Sequence, residues 1–389
     1  MARASMWDPL VLGCGTSFAH RFLLAPMTTD SSNLDGTATA EELAYISRRA
    51  ANGFAAFITS CAYIDPAGRA WRGIGAAEDQ QLAGLAGVAV ACGAGKAAKI
   101  LQLYDAGRLA SAELVSPDRI RAPSAIASSR PGARVPNALT GSEVGRLLDS
   151  FARAAQRGIQ AGFDGIELHG ANHYLIHQFF SPRSNQRADR WGGDAQRRMA
   201  FALEVVARVR EAVGAKVPLG FRLNPFEVER GGFTLDDSTE LARQLSHLGI
   251  DYLHISMDNF RKNSPQPEDR DWTRAVRFSD GRSPIEAMAE AVAGRCAIVA
   301  SGGIQGLEHA QAAMDLGADL LAVGRAALID PEWLTKVRRG GDAEIRRRMP
   351  AASAEIENGL TIPSRMAQYL LSRPGWIPTE PELQPAPSS

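Results

Sequence analysis

The sequence has few cysteines, no excess of either charge and no long apolar run, and each shortage argues against a class of protein. The four cysteines, Cys14, Cys61, Cys92 and Cys296, are scattered, and no two stand at metal-ligand spacing. This pattern suits a reducing cytosol better than a disulfide framework. The 43 basic residues equal the 43 acidic ones, which argues against nucleic acid or an anionic membrane as a partner.

No stretch approaches the roughly 20 apolar residues that span a bilayer, and residues 1–10 lack the apolar run of a signal peptide. We therefore expect a cytoplasmic protein. The basic run at 346–348 is interpreted as a solvated helix face. With 389 residues, 45% of them hydrophobic, the chain can bury a large core. Barrel enzymes reach this length as one domain.

One local pattern recurs: a helical segment ends in a glycine, and a short apolar, β-prone run follows at once. The glycines are Gly53, Gly162, Gly249 and Gly317. Glycine past a helix end supplies the left-handed C-cap, and a short apolar run is typical of a buried parallel strand. With four further apolar runs, strands are predicted over 22–25, 54–59, 97–102, 163–168, 217–222, 250–255, 296–300 and 318–323.

Eight alternating units favour a closed (βα)₈ barrel of the α/β class over an open sheet. We predict one barrel domain over 1–345, then a C-terminal helical segment and Pro-rich tail over 346–389. Helices are predicted over 140–161, 196–213, 236–248 and 306–316, the first with a capping box from Thr140 to Glu143. Long loops follow the third and fourth strands, and such loops form the active-site face of a barrel.

Two glycine loops follow the last two predicted strands, where barrels often hold a phosphate. Ser301-Gly302-Gly303 lets the backbone approach an anion closely, and Gly324-Arg325 offers amides and a positive charge. Either loop alone could be an ordinary tight turn. Together they favour a phosphate-bearing ligand.

Other strand ends carry polar groups that could meet a cofactor. Arg222 closes the fifth strand; a structural salt bridge would explain it, but its charge could also stabilise an electron-rich ring. Gln102 could meet the same ring with its amide. Pro26-Met27-Thr28 brings a hydroxyl to the barrel mouth.

The fourth strand leads into His169, Asn172 and Tyr174. If the loop takes a helical turn, His169 and Asn172 share one face and could polarise a carbonyl oxygen. Tyr174 could deliver a proton. Polar groups that only satisfy a loop backbone are the alternative. His169 and His173 also stand four apart, a spacing used by metal ligands, but other ligands at the strand ends are weak, and we predict no metal.

These residues belong to a stretch, Glu167 to Gly193, that resembles the signature of the Old Yellow Enzyme family of FMN-dependent ene-reductases. The resemblance extends in the family's order over residues 7–340, through the segments 25–28, 102–108 and 324–331. It implies a (βα)₈ barrel that holds FMN non-covalently at its C-terminal face and takes NAD(P)H as reductant. The central motif is highly specific, whereas the glycine loops alone are not.

The resemblance also implies roles for individual residues. His169 and Asn172 would bind the substrate carbonyl oxygen, Tyr174 would donate the proton, and Tyr104 and His173 would line the substrate pocket. NAD(P)H would reduce FMN and leave, and an α,β-unsaturated carbonyl compound would enter the same site, which predicts ping-pong kinetics. The implied FMN contacts are Pro26, Met27, Thr28, Ser60, Gln102, Arg222, Ser301, Gly302, Gly303, Gly324 and Arg325.

Three departures from the family pattern leave the substrate open: Asp105, His173 and the run Thr59-Ser60-Cys61. An added Asp and His near the pocket could change its substrate range. Two other functions also stay open: a metal-dependent barrel hydrolase using His169 and His173, and a flavin-binding barrel without ene-reductase activity. The preference for NADH or NADPH, the stereochemistry and a homo-oligomeric state are not determined by the sequence.

Overall fold

A ring of eight parallel strands forms the centre of the computed structural model, which describes residues 4–264 and 282–381. Each strand pairs in parallel with the next, and the last pairs with the first, which closes the barrel. The predicted (βα)₈ fold is confirmed. The strands are β1 (Phe22–Leu24), β2 (Ala56–Ile58), β3 (Ala98–Tyr104), β4 (Gly165–Gly170), β5 (Leu219–Leu223), β6 (Tyr252–Ile255), β7 (Ala297–Ser301) and β8 (Leu320–Val323).

The helices pack around this ring, and the four predicted ones lie within one residue of their expected ends. The capping box of the third helix is present, with the Thr140 amide donating to Glu143 Oε2 at 2.8 Å. In the described residues the α-helices are α1 (Ala40–Ala50), α2 (Leu82–Cys92), α3 (Gly141–Gln160), α4 (Leu175–Phe180), α5 (Ala195–Val213), α6 (Leu235–His247), α7 (Pro284–Val292), α8 (Leu307–Asp315), α9 (Arg325–Ile329), α10 (Trp333–Arg338), α11 (Ser353–Leu360) and α12 (Ser364–Leu371).

Short elements fill the connections. Leu10–Val11 and Ser17–Phe18 form a small antiparallel pair, Ala62–Tyr63 pairs with the end of β3, and Arg121–Ala122 pairs with Asn137–Ala138 inside the long loop after β3. Six 3₁₀ turns are described: Pro66–Gly68, Asp79–Gln81, Gly93–Gly95, Gly107–Leu109, Pro117–Arg119 and Asp342–Glu344.

The lower half of the barrel interior is apolar, and the upper half is polar. Leu23, Ile58, Ile100 and Val299 pack together inside the ring, and Phe18 covers its amino-terminal end. Above this layer the inward-facing side chains are charged or hydrogen-bonded, as described below. The chemistry is therefore confined to the carboxyl ends of the strands, as in other barrel enzymes.

The C-terminal segment docks on the barrel. Ile356 of α11 and Met366 of α12 join the same hydrophobic core as the barrel helices. The buried guanidinium of Arg49 on α1 donates to the Leu360 carbonyl at 3.1 Å. The start of the predicted Pro-rich tail is also packed, since Ile377 is buried. Residues 382–389 of that tail lie outside the described residues, and a division of the chain at 345 stays a prediction.

The packing of Gly220 on β5 against Tyr252 on β6 gives a stability prediction. A Cβ added at Gly220 would lie 2.1 Å from the buried Tyr252 ring, so Gly220→Ala should lower the free energy of unfolding by about 2 kcal/mol through overpacking. Gly145→Ala is the matched control, because a Cβ there meets nothing within 4 Å and alanine favours the helix. Urea denaturation measures both. Equal stability of the two variants would contradict the packing argument.

Candidate active site

A buried carboxylate stands at the centre of the polar layer. Glu167 on β4 accepts a hydrogen bond from Gln102 Nε2 at 2.6 Å, and its other oxygen lies 3.0 Å from His254 Nδ1. Burial alone would raise the pKa of Glu167, but His254 and the charge of Arg222 oppose this, and the net effect lowers the pKa. The barrel therefore encloses an ionised carboxylate. Sequence reasoning missed Glu167 and His254, although both are ionisable residues within otherwise apolar strands.

Arg222 supplies the positive charge of this layer. Burial lowers the pKa of its guanidinium, while Glu167 opposes that shift. Its Nε is buried and has no hydrogen-bond partner among the described residues. The side chain lies between two neighbouring cavities and lines both. A buried, unpaired donor at the meeting point of two cavities indicates a ligand with an acceptor there.

The first cavity, of about 290 Å³, lies over the ends of β1, β7 and β8. It brings together most of the residues predicted to hold FMN: Pro26, Met27, Arg222, Ser301, Gly302, Gly303, Gly324 and Arg325. Trp376, Arg346 and Arg347 also line it, and sequence reasoning missed all three. The interpretation of 346–348 as a helix face is wrong, because no helix covers these residues.

The glycine loops of this cavity need glycine. Gly302 has φ +101°, and a Cβ there would lie 2.5 Å from the Met257 carbonyl oxygen. Gly303 also has a positive φ, of +76°. Arg325 donates to the Asp258 carbonyl at 2.6 Å, which fixes its guanidinium at the cavity. The arrangement offers close backbone approach and positive charge on one side of the cavity.

Three other residues predicted to contact FMN are not part of the lining of that cavity. The Thr28 hydroxyl bonds the Cys61 thiol, whose own pKa is raised to about 12 by burial. Ser60 lines a small pocket beside Met27. Gln102 points its amide nitrogen at Glu167, which leaves its carbonyl oxygen as an acceptor.

The second cavity, of about 370 Å³, contains Asn172 and adjoins the first through Arg222. Residues 171–174 do not form the helical turn that would have placed His169 and Asn172 on one face; we call them the catalytic loop, for the roles proposed below. Asn172 and His173 have φ of +56° and +63°, and α4 begins only at Leu175. Two hydrogen bonds hold Asn172: its backbone N–H donates to Asn224 Oδ1 at 2.6 Å, and its side-chain Oδ1 accepts from Ser256 Oγ at 3.2 Å.

His169 is buried and uncharged. Its pKa is well below the usual value because of burial and the charge of Arg222. The Ala171 amide donates to His169 Nδ1 at 3.2 Å, so in the neutral ring the proton is assigned to Nε2. The ring lies edge-on to Tyr174, with centroids 5.0 Å apart. His169 can therefore act as a neutral hydrogen-bond donor.

Tyr174 has a partner that determines where its proton points. Trp71 Nε1 donates to the Tyr174 oxygen at 2.7 Å. An indole nitrogen only donates, so the phenol must direct its own hydrogen elsewhere. Burial raises the pKa of Tyr174, while Trp71 opposes that shift. Tyr104, the predicted pocket-wall residue, packs beneath Tyr174 with ring centroids 4.9 Å apart.

Two of the sequence departures have structural explanations. Asp105 does not enlarge the polar pocket, because it pairs with Arg121 at 2.7 Å and accepts the Gly107 amide at 2.8 Å, which anchors the loop after β3. His173 lies next to His177, with ring centroids 4.5 Å apart. The ring that His173 contacts is thus that of His177, four residues later in the chain.

Comparison with known proteins identifies the family. Residues 5–344 match the model of the NADH:flavin oxidoreductase / NADH oxidase family. The chain is also similar to solved structures of morphinone reductase: one is 26% identical with a TM-score of 0.74, covering 93% of this chain and 96% of the other. The chain belongs to this flavin oxidoreductase family, also known as the Old Yellow Enzyme family.

Two curated relatives differ in length. The probable NADH-dependent flavin oxidoreductase YqiG of Bacillus subtilis is 34% identical over 96% of this chain and 97% of the relative. The NADH:fumarate oxidoreductase of Klebsiella pneumoniae is 38% identical over 87% of this chain, but the match spans only 36% of that protein.

Family membership confirms the enzyme class that the sequence implied, an NAD(P)H-dependent FMN oxidoreductase. Within the part of the chain that the structure describes, no helix is long and apolar enough to cross a membrane. The cytoplasmic location stays a prediction.

The buried carboxylate gives a pH-dependent prediction. Glu167→Gln should lower the free energy of unfolding by about 3 kcal/mol at neutral pH, because it leaves the Arg222 charge without its counter-charge. Since the folded-state pKa of Glu167 is lowered from 4.5, this difference is fully present above the unfolded pKa and disappears as the pH falls through the folded pKa. Urea denaturation from pH 7 downwards measures it.

The exposed Glu113→Gln is the control for that series, and it should leave the stability curve unchanged. A stability difference between wild type and Glu167→Gln that stays constant down to acid pH would show that the Glu167 charge is not the cause.

Proposed function

We propose that this enzyme reduces the activated carbon–carbon double bond of an α,β-unsaturated carbonyl compound, with NAD(P)H as the electron source. The observation that carries the proposal is the juxtaposition of two neutral donors and one phenol: His169 contacts Tyr174 edge-on, and Asn172 lines the cavity that adjoins Arg222. Two relatives support it by their names, an NADH:fumarate oxidoreductase and an NADH:acrylate oxidoreductase, since fumarate and acrylate both carry such a double bond.

The chemistry of the first cavity fits FMN. The unpaired Nε of Arg222 would meet the ring, the acceptor oxygen of Gln102 would meet a ring N–H, and the backbone at Pro26 and Met27 would lie along it. Gly302, Gly303, Gly324 and Arg325, with Ser301, would hold the phosphate. Thr28 and Ser60 would border the ring from β1 and β2. Bound FMN supplies the two-electron chemistry that links NAD(P)H oxidation to alkene reduction.

Substrate activation is the role of His169 and Asn172. Both would donate hydrogen bonds to the carbonyl oxygen. His169 would donate its Nε2 proton, and Asn172 would donate from its side-chain nitrogen, because its Oδ1 already accepts from Ser256. Two donors that converge on one oxygen draw electron density from the conjugated double bond. The β-carbon thereby becomes electron-poor and can accept the electron pair.

Tyr174 would complete the reaction by protonating the α-carbon. The bond from Trp71 occupies an acceptor lone pair of the phenol, so the O–H is free to point towards the substrate. As the proton leaves, the same indole N–H stabilises the developing negative charge on the Tyr174 oxygen. Solvent then returns the proton to the phenol.

One site would serve both substrates in turn. The two cavities adjoin through Arg222 and Met257, so the nicotinamide and the alkene would compete for the same donors. This arrangement supports a ping-pong sequence, with the oxidised nucleotide leaving before the alkene binds.

The test separates the two half-reactions. Anaerobic stopped-flow absorbance should show bleaching of the bound flavin by NADH or NADPH, then reoxidation by cyclohexenone or a maleimide. Tyr174→Phe should leave the first step nearly unchanged and slow the second by on the order of a hundredfold. Tyr45→Phe, a buried tyrosine of α1, is the control. Bleaching without reoxidation by any alkene would indicate a flavin barrel without ene-reductase activity.

Trp71 gives a second, graded prediction. Trp71→Phe keeps the aromatic packing against Tyr369 but removes the bond to the Tyr174 oxygen. The alkene half-reaction should slow by roughly tenfold, since one hydrogen bond to a developing charge is worth about 1.5 kcal/mol or more. The effect should vanish in a Tyr174→Phe background, where the bond has no acceptor. Additive losses in the double variant would refute the coupling.

A further inference from the structure

We propose that His173, His177 and Glu227 form a binding site for a divalent transition-metal ion, with zinc as the typical occupant. The three residues come from the loop after β4, from α4 and from the loop after β5. It is a site of chelation and not of catalysis, and it does not depend on the proposed function. The sequence predicted no metal, because further ligands at the strand ends are weak; the pair considered there was His169 with His173, and not His173 with His177.

The distances are close to those of a metal shell. His177 Nε2 lies 3.2 Å and His173 Nδ1 lies 3.7 Å from the same oxygen, Glu227 Oε1. One ligand atom from each of the three residues lies within 4.8 Å of the others. Tetrahedral zinc, with bonds of about 2.0–2.1 Å, holds its ligands roughly 3.4 Å apart. Small side-chain rotations would therefore bring all three atoms onto one ion.

The local backbone explains why the two histidines meet. His173 has φ +63° in the turn before α4, and His177 lies four residues later within that helix. This spacing brings both rings to one side of the helix start, towards the loop after β5 that carries Glu227. Two imidazoles and a carboxylate are typical zinc ligands.

Glu227 is already oriented as a ligand. Its Oε2 accepts from Ser181 Oγ at 2.6 Å and from the Phe233 amide at 3.1 Å. These bonds fix the carboxylate and leave Oε1 directed at the two histidines. Such outer partners are typical of metal-binding carboxylates.

The three ligands leave the fourth position of a tetrahedral ion open. His177 is 2% exposed, and its Nδ1 is buried without a hydrogen-bond partner among the described residues. The ion would bind His177 through Nε2, the nitrogen that faces Glu227 Oε1. His173 is 40% exposed and gives the ion a way in. Glu229, whose Oε1 lies 3.9 Å from His173 Nε2, could take the fourth position.

A charge cluster without an ion is the competing interpretation, because Arg183 also lies here. Its Nη1 is 3.7 Å from Glu227 Oε1 and 3.5 Å from Glu229 Oε2. Both contacts are long for charge-assisted hydrogen bonds, which prefer about 2.7–2.9 Å. Arg183 is therefore a loosely held counter-charge that an ion could displace. If so, removing Arg183 should strengthen metal binding.

An occupied site would affect the catalytic loop directly. His173 stands between Asn172 and Tyr174, the two loop residues with proposed roles in the reaction. A metal that joins His173 to Glu227 would link this loop to the loop after β5. The two loops are already joined by the hydrogen bond from the Asn172 backbone N–H to Asn224 Oδ1. Binding would restrict the motion of the loop.

The experiment uses the flavin-loaded protein after treatment with a chelator. Calorimetric titration with Zn²⁺ should show one saturable site, and Co²⁺ should give the visible absorption of a nitrogen- and oxygen-ligated ion. His173→Ala and Glu227→Gln should each weaken binding by roughly tenfold or more, and Arg183→Gln should strengthen it. His247→Ala, an exposed histidine of α6, is the matched control.

His173→Ala is the decisive variant because its side chain is partly exposed, and an unchanged flavin spectrum shows that it is folded. Saturable binding that needs His173 and Glu227 but not His247 supports the site. Absence of saturable binding, equal binding in His173→Ala and the control, or weaker binding in Arg183→Gln would overturn it.

Discussion

The buried charge of Glu167 is the constraint on which the site depends. The register of the closed barrel sets Gln102 beside Glu167, and Arg222 beside both His169 and His254. Gln102 and Glu167 therefore share one level of the interior, and Arg222, His169 and His254 share the level two residues nearer the strand ends. An ionised carboxylate there is tolerable only because Arg222, His254 and Gln102 surround it. The Glu167 carboxylate also accepts a hydrogen bond from the Gln102 amide and balances the Arg222 charge. It thereby fixes Gln102 and Arg222, two of the groups proposed to contact the flavin.

The catalytic loop depends on neighbours from distant parts of the chain. Left-handed residues other than glycine are unfavourable, yet Asn172 and His173 both adopt this conformation. Asn172 donates its backbone N–H to Asn224 in the loop after β5 and accepts from Ser256 in the loop after β6. Trp71 donates to the Tyr174 oxygen. The loop geometry is thus a property of the assembled barrel mouth, and a mutation in any of three loops can disturb it.

This dependence explains what the sequence could and could not predict. The strands and the α3 capping box follow from patterns a few residues long, and all were found. The cavity with Gly302 and Arg325 was also expected, because each motif stands directly after a strand. The partner of Tyr174 was not, since Trp71 stands about 100 residues away. Asp105 was taken for a pocket residue because nothing nearby in sequence reveals its pairing with Arg121.

The protonation state of His169 links the buried charge to the proposed chemistry. A protonated imidazole would polarise a carbonyl more strongly, but it would also add a second positive charge beside Arg222 in a site with little solvent. The pKa of His169 is instead held well below its usual value by burial and by Arg222. Because the proposed donors His169 and Asn172 are neutral, Arg222 remains the main positive charge where the two cavities meet. The reaction would then rely on the acidity of one group, Tyr174, to complete reduction of the double bond.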